Sequence, residues 1–424
     1  MADLFFKTWT DDKNPSLAIM SDMEKIEILG IRVSDVTRPE VLGKIKGYLS
    51  GTEQHLVVTP NPEIILEASR DEELFFILNK ADLALPDGFG LKLAAWLEGK
   101  RLERITGADI SQELLAWCEK EGIPVGFIIW KKGLSSKNDL EKALRNKYPN
   151  LKFSVEEADR NPCFIPGKDF LSIEPKMVFV ALGCPWQEKV AYHSLPKMPS
   201  VRVALGVGGT ADFITGRLKR APGSFRSLGL EWLWRLIRQP KRIGRIGNAV
   251  LIFPWSLLKR KFLHPLFYRP NVSCLLYKKD GAKYKILLVE RQGEPDHWQL
   301  PQGGTEGEGL LKAGERELRE EINTDRFIAK RVFKDLYRYS FGTRPGETEA
   351  QAENRRRHTG YKGQKQGLFI AEFVGQDSDV RLNFWDHSAW RWVDSDKLVD
   401  EVHLIRRRAA GIFLKKFKEF VKQK

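Results

Sequence analysis

Cysteine is scarce in this 424-residue sequence, and its four copies, Cys118, Cys163, Cys184 and Cys274, include no C-x-x-C pair. That spacing argues against a zinc cluster and a disulfide framework, and leaves buried free thiols as the expectation. Long hydrophobic runs are missing as well. No segment approaches the roughly 18 consecutive apolar residues that a spanning helix needs, so an integral membrane protein is not expected. The opening residues Met1 to Trp9 lack a basic stretch followed by a long apolar core, which points to a chain that stays in the cytoplasm. Internal repeats and low-complexity tracts are also lacking. Negative charge is the minority, with 56 Asp and Glu against 70 Lys and Arg, a formal excess of +14. Such an excess favours anionic partners, whether nucleotides, nucleic acid or an acidic lipid surface, and does not choose among them.

The length exceeds one ordinary core and predicts two or three domains at about 100 to 200 residues each. Residues 1–23 are polar and irregular; Ile26 to Val33 then reads as a strand and Val41 to Leu49 as a helix. Short β-branched apolar runs follow at His55 to Val58, Val125 to Ile129, Met177 to Leu182 and Val201 to Leu205, with helical patterns between them. This alternation predicts an α/β architecture, a Rossmann-like, mostly parallel sheet with helices on both faces. Ligands of such sheets collect beyond the carboxyl ends of the strands. The polar residues there are Thr59-Pro60-Asn61, Asp87-Gly88, Gly183 to Glu188 and Gly206 to Phe213.

From about Leu230 the chain turns aromatic and arginine-rich, with Glu231, Trp232, Arg235, Arg238, Arg242 and Arg245. An apolar patch at Ala249 to Leu258 is bordered by Lys259, Arg260 and Lys261. It is too short to span a bilayer. It suits a helix lying in a membrane interface, and equally a helix docked on the sheet. A boundary near 262–270 carries His264, Pro265 and Pro270. Beyond it, Asn271 to Tyr277 and Tyr284 to Glu290 read as paired strands joined at Lys279 to Ala282.

The sharpest chemical pattern is Gly303-Gly304-Thr305-Glu306-Gly307-Glu308, seven further residues, then Arg316-Glu317-Leu318-Arg319-Glu320-Glu321. Glu317, Glu320 and Glu321 stand at i, i+3 and i+4, on one helical face. Crowded carboxylates repel, and a hard divalent cation with oxygen ligands explains the arrangement. The segment resembles the Nudix box, G-x5-E-x7-R-E-U-x-E-E-x-G-U with U aliphatic. Tyr268 to Val272, Trp298 to Gly304, Gly363 to Gln366 and Trp390 to Val393 resemble the branch that hydrolyses RNA 5′ ends and dinucleoside polyphosphates, and the likeness covers 266–424. It implies a Nudix α/β/α sandwich in which Glu317, Glu320 and Glu321 hold Mg²⁺, and Arg316 and Glu308 pair to shape the turn. It also implies a further catalytic carboxylate at Asp386, with Asp394 as competitor. Two departures stand out: four residues rather than five separate Gly303 from Glu308, and Asn323 replaces the final glycine. The implied substrate is a nucleoside diphosphate linked to another group; the alternative is a module that binds nucleotide or RNA 5′ ends without turnover.

Across 55–245 a second set occurs in one order. It comprises Thr59-x-Asn61, Asp87-Gly88, Arg104-x-x-Gly107-x-Asp109, Gly183-x-Pro185-x-Gln187-Glu188, Gly206-Val207-Gly208-Gly209 with Asp212, Arg220-Ala221-Pro222 and Glu231-Trp232-x-x-Arg235. Each motif alone has a plain reading as a turn, a tight connection or an ion pair. Together they resemble the WecG/TagA/CpsF glycosyltransferases over about 24–262, with 230–262 as an arginine-rich, membrane-proximal appendage. The resemblance implies transfer of N-acetylmannosamine or a related sugar from a UDP-sugar donor to a polyprenyl-diphosphate-linked acceptor at the inner face of the cell membrane. It implies Asp87 as general base, and Thr59, Asn61, Arg104, Gln187, Gly206, Gly208, Gly209 and Asp212 as substrate-binding residues. Arg238, Arg242 and Arg245 would neutralise a diphosphate. No Asp-x-Asp occurs in 1–262, and no metal is expected for this reaction. Oligomeric state is not legible.

Overall fold

A computed structural model describes residues 24–223, 225, 231–238, 243–341 and 360–423. The chain forms two compact units: one takes residues up to 26, 32–60 and 81–219, and the other takes 27–31, 61–80 and 220–424. The stretch expected as one strand from Ile26 to Val33 is instead a hairpin of β1 (Lys25–Ile28) and β2 (Ile31–Ser34). Leu29 and Gly30, both at positive φ, make the turn.

The helix α1 (Arg38–Ser50) starts at Thr37, whose side chain pairs reciprocally with Glu40, three residues inside the helix. The strand β3 (His55–Val58) is followed by the helices α2 (Pro62–Ala68) and α3 (Glu72–Lys80), which belong to the second unit. The first unit continues with β4 (Leu83–Ala84), α4 (Phe89–Leu97), α5 (Gly107–Glu121), β5 (Val125–Trp130), α6 (Lys137–Lys147) and β6 (Phe153–Ala158). It ends with α7 (Lys168–Leu171), β7 (Met177–Ala181), α8 (Trp186–Ser194), β8 (Val203–Gly206) and α9 (Thr210–Ile214). Its sheet runs β4-β3-β8-β7-β5-β6, parallel throughout. The two end strands of this order escaped the sequence pattern: β4 has two residues, and β6 carries Glu156 and Glu157 at an edge. Buried Val57, Phe127, Phe179 and Leu205 from the sheet pack with Ile45, Leu114, Leu115, Leu140 and Leu144 from α1, α5 and α6. Burial on this scale is the main favourable term holding such a layer together.

In the second unit β9 (Tyr268–Asp280), β10 (Lys283–Arg291), β11 (Trp298–Gln299), β12 (Gln302–Gly304), β13 (Phe327–Ser340), β14 (Gly363–Phe373) and β15 (His387–Asp394) form one mixed sheet. β9 pairs antiparallel with β10 and parallel with β14. Alternate residues of β9 face opposite cores. Val272, Cys274 and Leu276 meet the helix Leu310–Ile322, and Leu275 and Tyr277 meet the helix Arg407–Lys422. The result is an α/β/α sandwich.

The patch expected at Ala249 to Leu258 is part of a longer helical stretch, 243–266. Leu251, Trp255, Leu258, Phe262 and Leu266 are exposed on it while Ile246 and Phe253 are buried. No helix among the described residues is long and apolar enough to cross a membrane. The buried-thiol expectation holds for Cys118 and Cys274 only, because Cys163 is exposed and Cys184 half-buried in loops outside the sheet core.

Candidate functional sites

In the first unit the predicted residues do gather beyond the carboxyl ends of neighbouring strands. Thr59 follows β3, Asp87 lies three residues past β4, and Gly206 ends β8; β3 stands between the other two in the sheet. Thr59 is buried and its hydroxyl donates to the Gly206 carbonyl at 2.9 Å. Gly107 packs closely beside it, since a Cβ there would approach Thr59 Cγ2 at 3.1 Å. The Asp87 N–H donates to Pro60 O at 2.9 Å, and Gly88 at φ +111 turns the chain into α4. Arg104 leads into α5, which Thr106 caps by accepting from the Asp109 N–H.

Gln187 grips the glycine loop. Its Oε1 accepts from the Gly208 N–H at 2.9 Å, and its Nε2 donates to Glu188 Oε1 at 2.8 Å. The Gly208 N–H is therefore engaged inside the protein. Glu188 is fully buried; that burial pushes its carboxyl up to about 7, against the lowering effect of the Gln187 amide. Asp212, in the first turn of α9, accepts from Ser135 Oγ at 2.7 Å, and the same hydroxyl lies 2.7 Å from Thr215 Oγ1. The sequence reading missed Ser135, which sits in an ordinary-looking polar loop with no local signal.

Two predicted residues, Asn61 and Arg245, belong to the second unit. Asn61 caps α2, its Oδ1 accepting from the Ile64 N–H at 3.0 Å. Arg245 is exposed and lies 3.9 Å from Glu63. Arg242 and the Arg238 side chain fall outside the described residues.

In the second unit the glycine turn meets the helix Leu310–Ile322 as the box predicts. Arg316 is the organiser: its Nε reaches Glu308 at 3.1 Å, its Nη1 reaches Glu317 at 2.9 Å and Glu320 at 2.7 Å, and its Nη2 donates to the Gly304 carbonyl. A Cβ on Gly303 would land on the Glu317 carboxyl, so any other residue there would displace that carboxyl. Asn323 ends the helix at φ +47, the left-handed role expected of a final glycine.

The three helix carboxylates do not share one environment. Glu317 and Glu321 are buried, whereas Glu320 is half-exposed and turned to Arg316. Burial first, and the charge of Glu321 second, push Glu317 up to about 9. Glu321 Oε1 accepts from the Gln302 N–H at 3.1 Å; its buried Oε2 makes no hydrogen bond and lies 3.1 Å from His387 Nε2, out of alignment. Asp386 adjoins His387, and burial and then Glu321 raise its carboxyl. Asp394 stands at the far end of β15 beside Lys283, 3.8 Å away. His387 was not singled out from the sequence. Among the described residues no three metal-ligating side chains form a ready-made cation site. The hard oxygen donors of Glu317 and Glu321, one of them a buried oxygen without a hydrogen bond, nevertheless fit a divalent cation.

Fold and sites together define an α/β enzyme made of a Rossmann-like transferase unit and a Nudix-type sandwich. The chain belongs to the "Glycosyl transferase WecG/TagA/CpsF family", whose model matches residues 26–265, and residues 267–414 match the NUDIX domain. It is 33% identical over 240 residues to the N-acetylglucosaminyldiphosphoundecaprenol N-acetyl-beta-D-mannosaminyltransferase of Bacillus subtilis (strain 168), covering 54% of this chain and 92% of that protein. The protein of the same name from Staphylococcus aureus (strain MW2) is 29% identical over 253 residues, covering 57% and 95%. Among solved structures, a C. elegans Ap4A hydrolase binary complex is 20% identical and covers 37% of this chain and 99% of its own, with a TM-score of 0.27. A UDP-X diphosphatase is 15% identical, with coverage of 46% and 93% and a TM-score of 0.26.

Proposed function

We propose that the chain is bifunctional. Its first activity transfers N-acetylmannosamine or a related sugar from UDP to a polyprenyl-diphosphate-linked sugar in cell-surface polysaccharide synthesis. The second hydrolyses a nucleoside diphosphate linked to another group, an RNA 5′ end or a dinucleoside polyphosphate. The transferase reading is carried by the gathering of Thr59, Asp87, Gln187 and Gly206 at adjacent strand ends, with the curated relatives naming the sugar chemistry. Asp87 takes the proton from the acceptor hydroxyl as it attacks the sugar carbon, and the UDP diphosphate departs. Arg104 and the loop Gly206 to Gly209, with Asp212, line the donor side.

For the hydrolase, Glu317, Glu320 and Glu321 hold Mg²⁺. Bound there, the ion supplies polarisation of phosphate oxygens and a lowered pKa of the attacking water. Asp386 accepts a proton, and Arg316 with Glu308 keeps the glycine turn against the helix. A second reading, a module that binds without turnover, is favoured by the shortened turn and by Arg316 engaging Glu317 and Glu320.

The exposed stripe Leu251, Trp255, Leu258 and Phe262, with Lys259 and Lys261 on the same stretch, supports a peripheral position at the inner membrane face. Assays of the full chain with Asp87→Asn and Glu320→Gln test both activities. Transfer abolished only by the first substitution, and Mg²⁺-dependent hydrolysis only by the second, is the expected outcome. Nucleotide binding with no turnover in the wild type would establish the second reading.

A further inference from the structure

A carboxyl group that is fully buried, with one oxygen left without a hydrogen bond, is a costly residue for a helix to carry. Glu188 on α8 is such a group: it is 0% exposed and its Oε2 has no partner. A methionine of similar size would fill the same space at no desolvation cost. What the carboxyl does provide is a direction for its neighbour. Glu188 Oε1 accepts from Gln187 Nε2 at 2.8 Å, so the amide nitrogen of Gln187 faces the carboxyl and the amide oxygen faces the Gly208 N–H, 2.9 Å away. Turned over, the amide would set its NH₂ against the Gly208 N–H, donor to donor, and the loop would lose its tether. The fit is close on the other side too, since a Cβ on Gly206 would lie 3.2 Å from Gln187 Nε2. Gly208 itself sits at φ +54, a conformation that the tether stabilises.

We propose that Glu188 is a positioning residue for glycosyl transfer: by fixing the Gln187 amide it holds the Gly206 to Gly209 loop in the shape that receives the donor's nucleoside diphosphate. The proposal rests on the reading of this unit as a UDP-sugar-dependent transferase. Glu188 touches no reacting atom and acts only through Gln187. A glutamine at this position keeps an oxygen able to accept from Gln187, so it preserves the relay, whereas an isosteric apolar residue removes it.

The test uses the full chain, with UDP binding measured by calorimetry, donor and acceptor KM by steady-state transfer, and thermal melting alongside. Glu188→Met is expected to melt no lower than the wild type, yet to weaken UDP binding at least tenfold and raise the donor KM, leaving the acceptor KM within twofold. Glu188→Gln is expected to bind UDP within threefold of the wild type. Gly206→Ala, which crowds the amide from the opposite side, is expected to weaken UDP binding in the same sense, and it decides the matter if Glu188→Met fails to fold. Wild-type UDP affinity and donor KM in Glu188→Met, or in Gly206→Ala where the methionine variant does not fold, overturns the proposal. Equal loss in Glu188→Gln and Glu188→Met also overturns it. A wild-type chain that binds no UDP overturns the transferase reading, and this proposal with it.

Discussion

Glu317 is a buried acid whose protonation sets a pH slope on folding. Its carboxyl rises from 4.5 to about 9 in the folded chain, mainly through burial. Between those values the folded state keeps the proton and the unfolded state loses it, so the unfolded state binds fewer protons. Stability is then fully present below pH 4.5 and is lost as pH rises toward 9. Each pH unit costs about 1.4 kcal/mol, so the three units from pH 5 to pH 8 cost about 4 kcal/mol. Glu317→Gln cannot ionise and removes this contribution, while the other raised carboxylates are present in both proteins. Urea unfolding of the full chain in EDTA, followed by tryptophan fluorescence at pH 5 and pH 8, should show the variant gaining roughly that much on the wild type. With saturating Mg²⁺ the wild-type carboxylate is held ionised and the gap should close. Parallel pH profiles for the two proteins in EDTA would refute the reasoning, because they would mean that Glu317 does not meet the burial that raises it.

Gly303→Ala places a methyl on the Glu317 carboxyl, and overpacking of this kind costs about 1–3 kcal/mol. Hydrolysis measured as phosphate release should fall at least tenfold, with sugar transfer by the same preparation unchanged. Asp87→Asn should lower kcat for transfer by about 10²–10⁴ without altering hydrolysis, the range expected for loss of a general base. Asn61→Ala removes the α2 cap and should cost about 1 kcal/mol in denaturant unfolding whether or not substrate is present. Trp255→Glu puts a charge on the exposed stripe and should reduce co-sedimentation with anionic vesicles severalfold; unchanged sedimentation would remove the stripe from the membrane contact.

Much of both sites was legible in the chain itself. The Nudix box is written in consecutive residues because a turn and one helix supply its parts, and the Arg316 to Glu308 pair and the left-handed Asn323 appear as the resemblance implied. The parallel sheet was legible where strands are continuous apolar runs, as in Val125–Trp130 and Met177–Ala181. It was not legible in β6, where edge exposure tolerates charge, or at Leu29-Gly30, where a turn inside an apolar run leaves the alternation intact. Ser135 beside Asp212 and His387 beside Glu321 had no signal, because those pairs are separated by 77 and 66 residues and are joined only by packing. The sequence by itself thus determined which groups one turn or one helix face presents, since local spacing decides those. Only the tertiary structure decided their states. Burial raised Glu317 and Glu188, Arg316 took both Glu317 and Glu320 as partners, and Gln187 claimed the Gly208 N–H, all because desolvation and long-range contacts exist only once distant segments have come together.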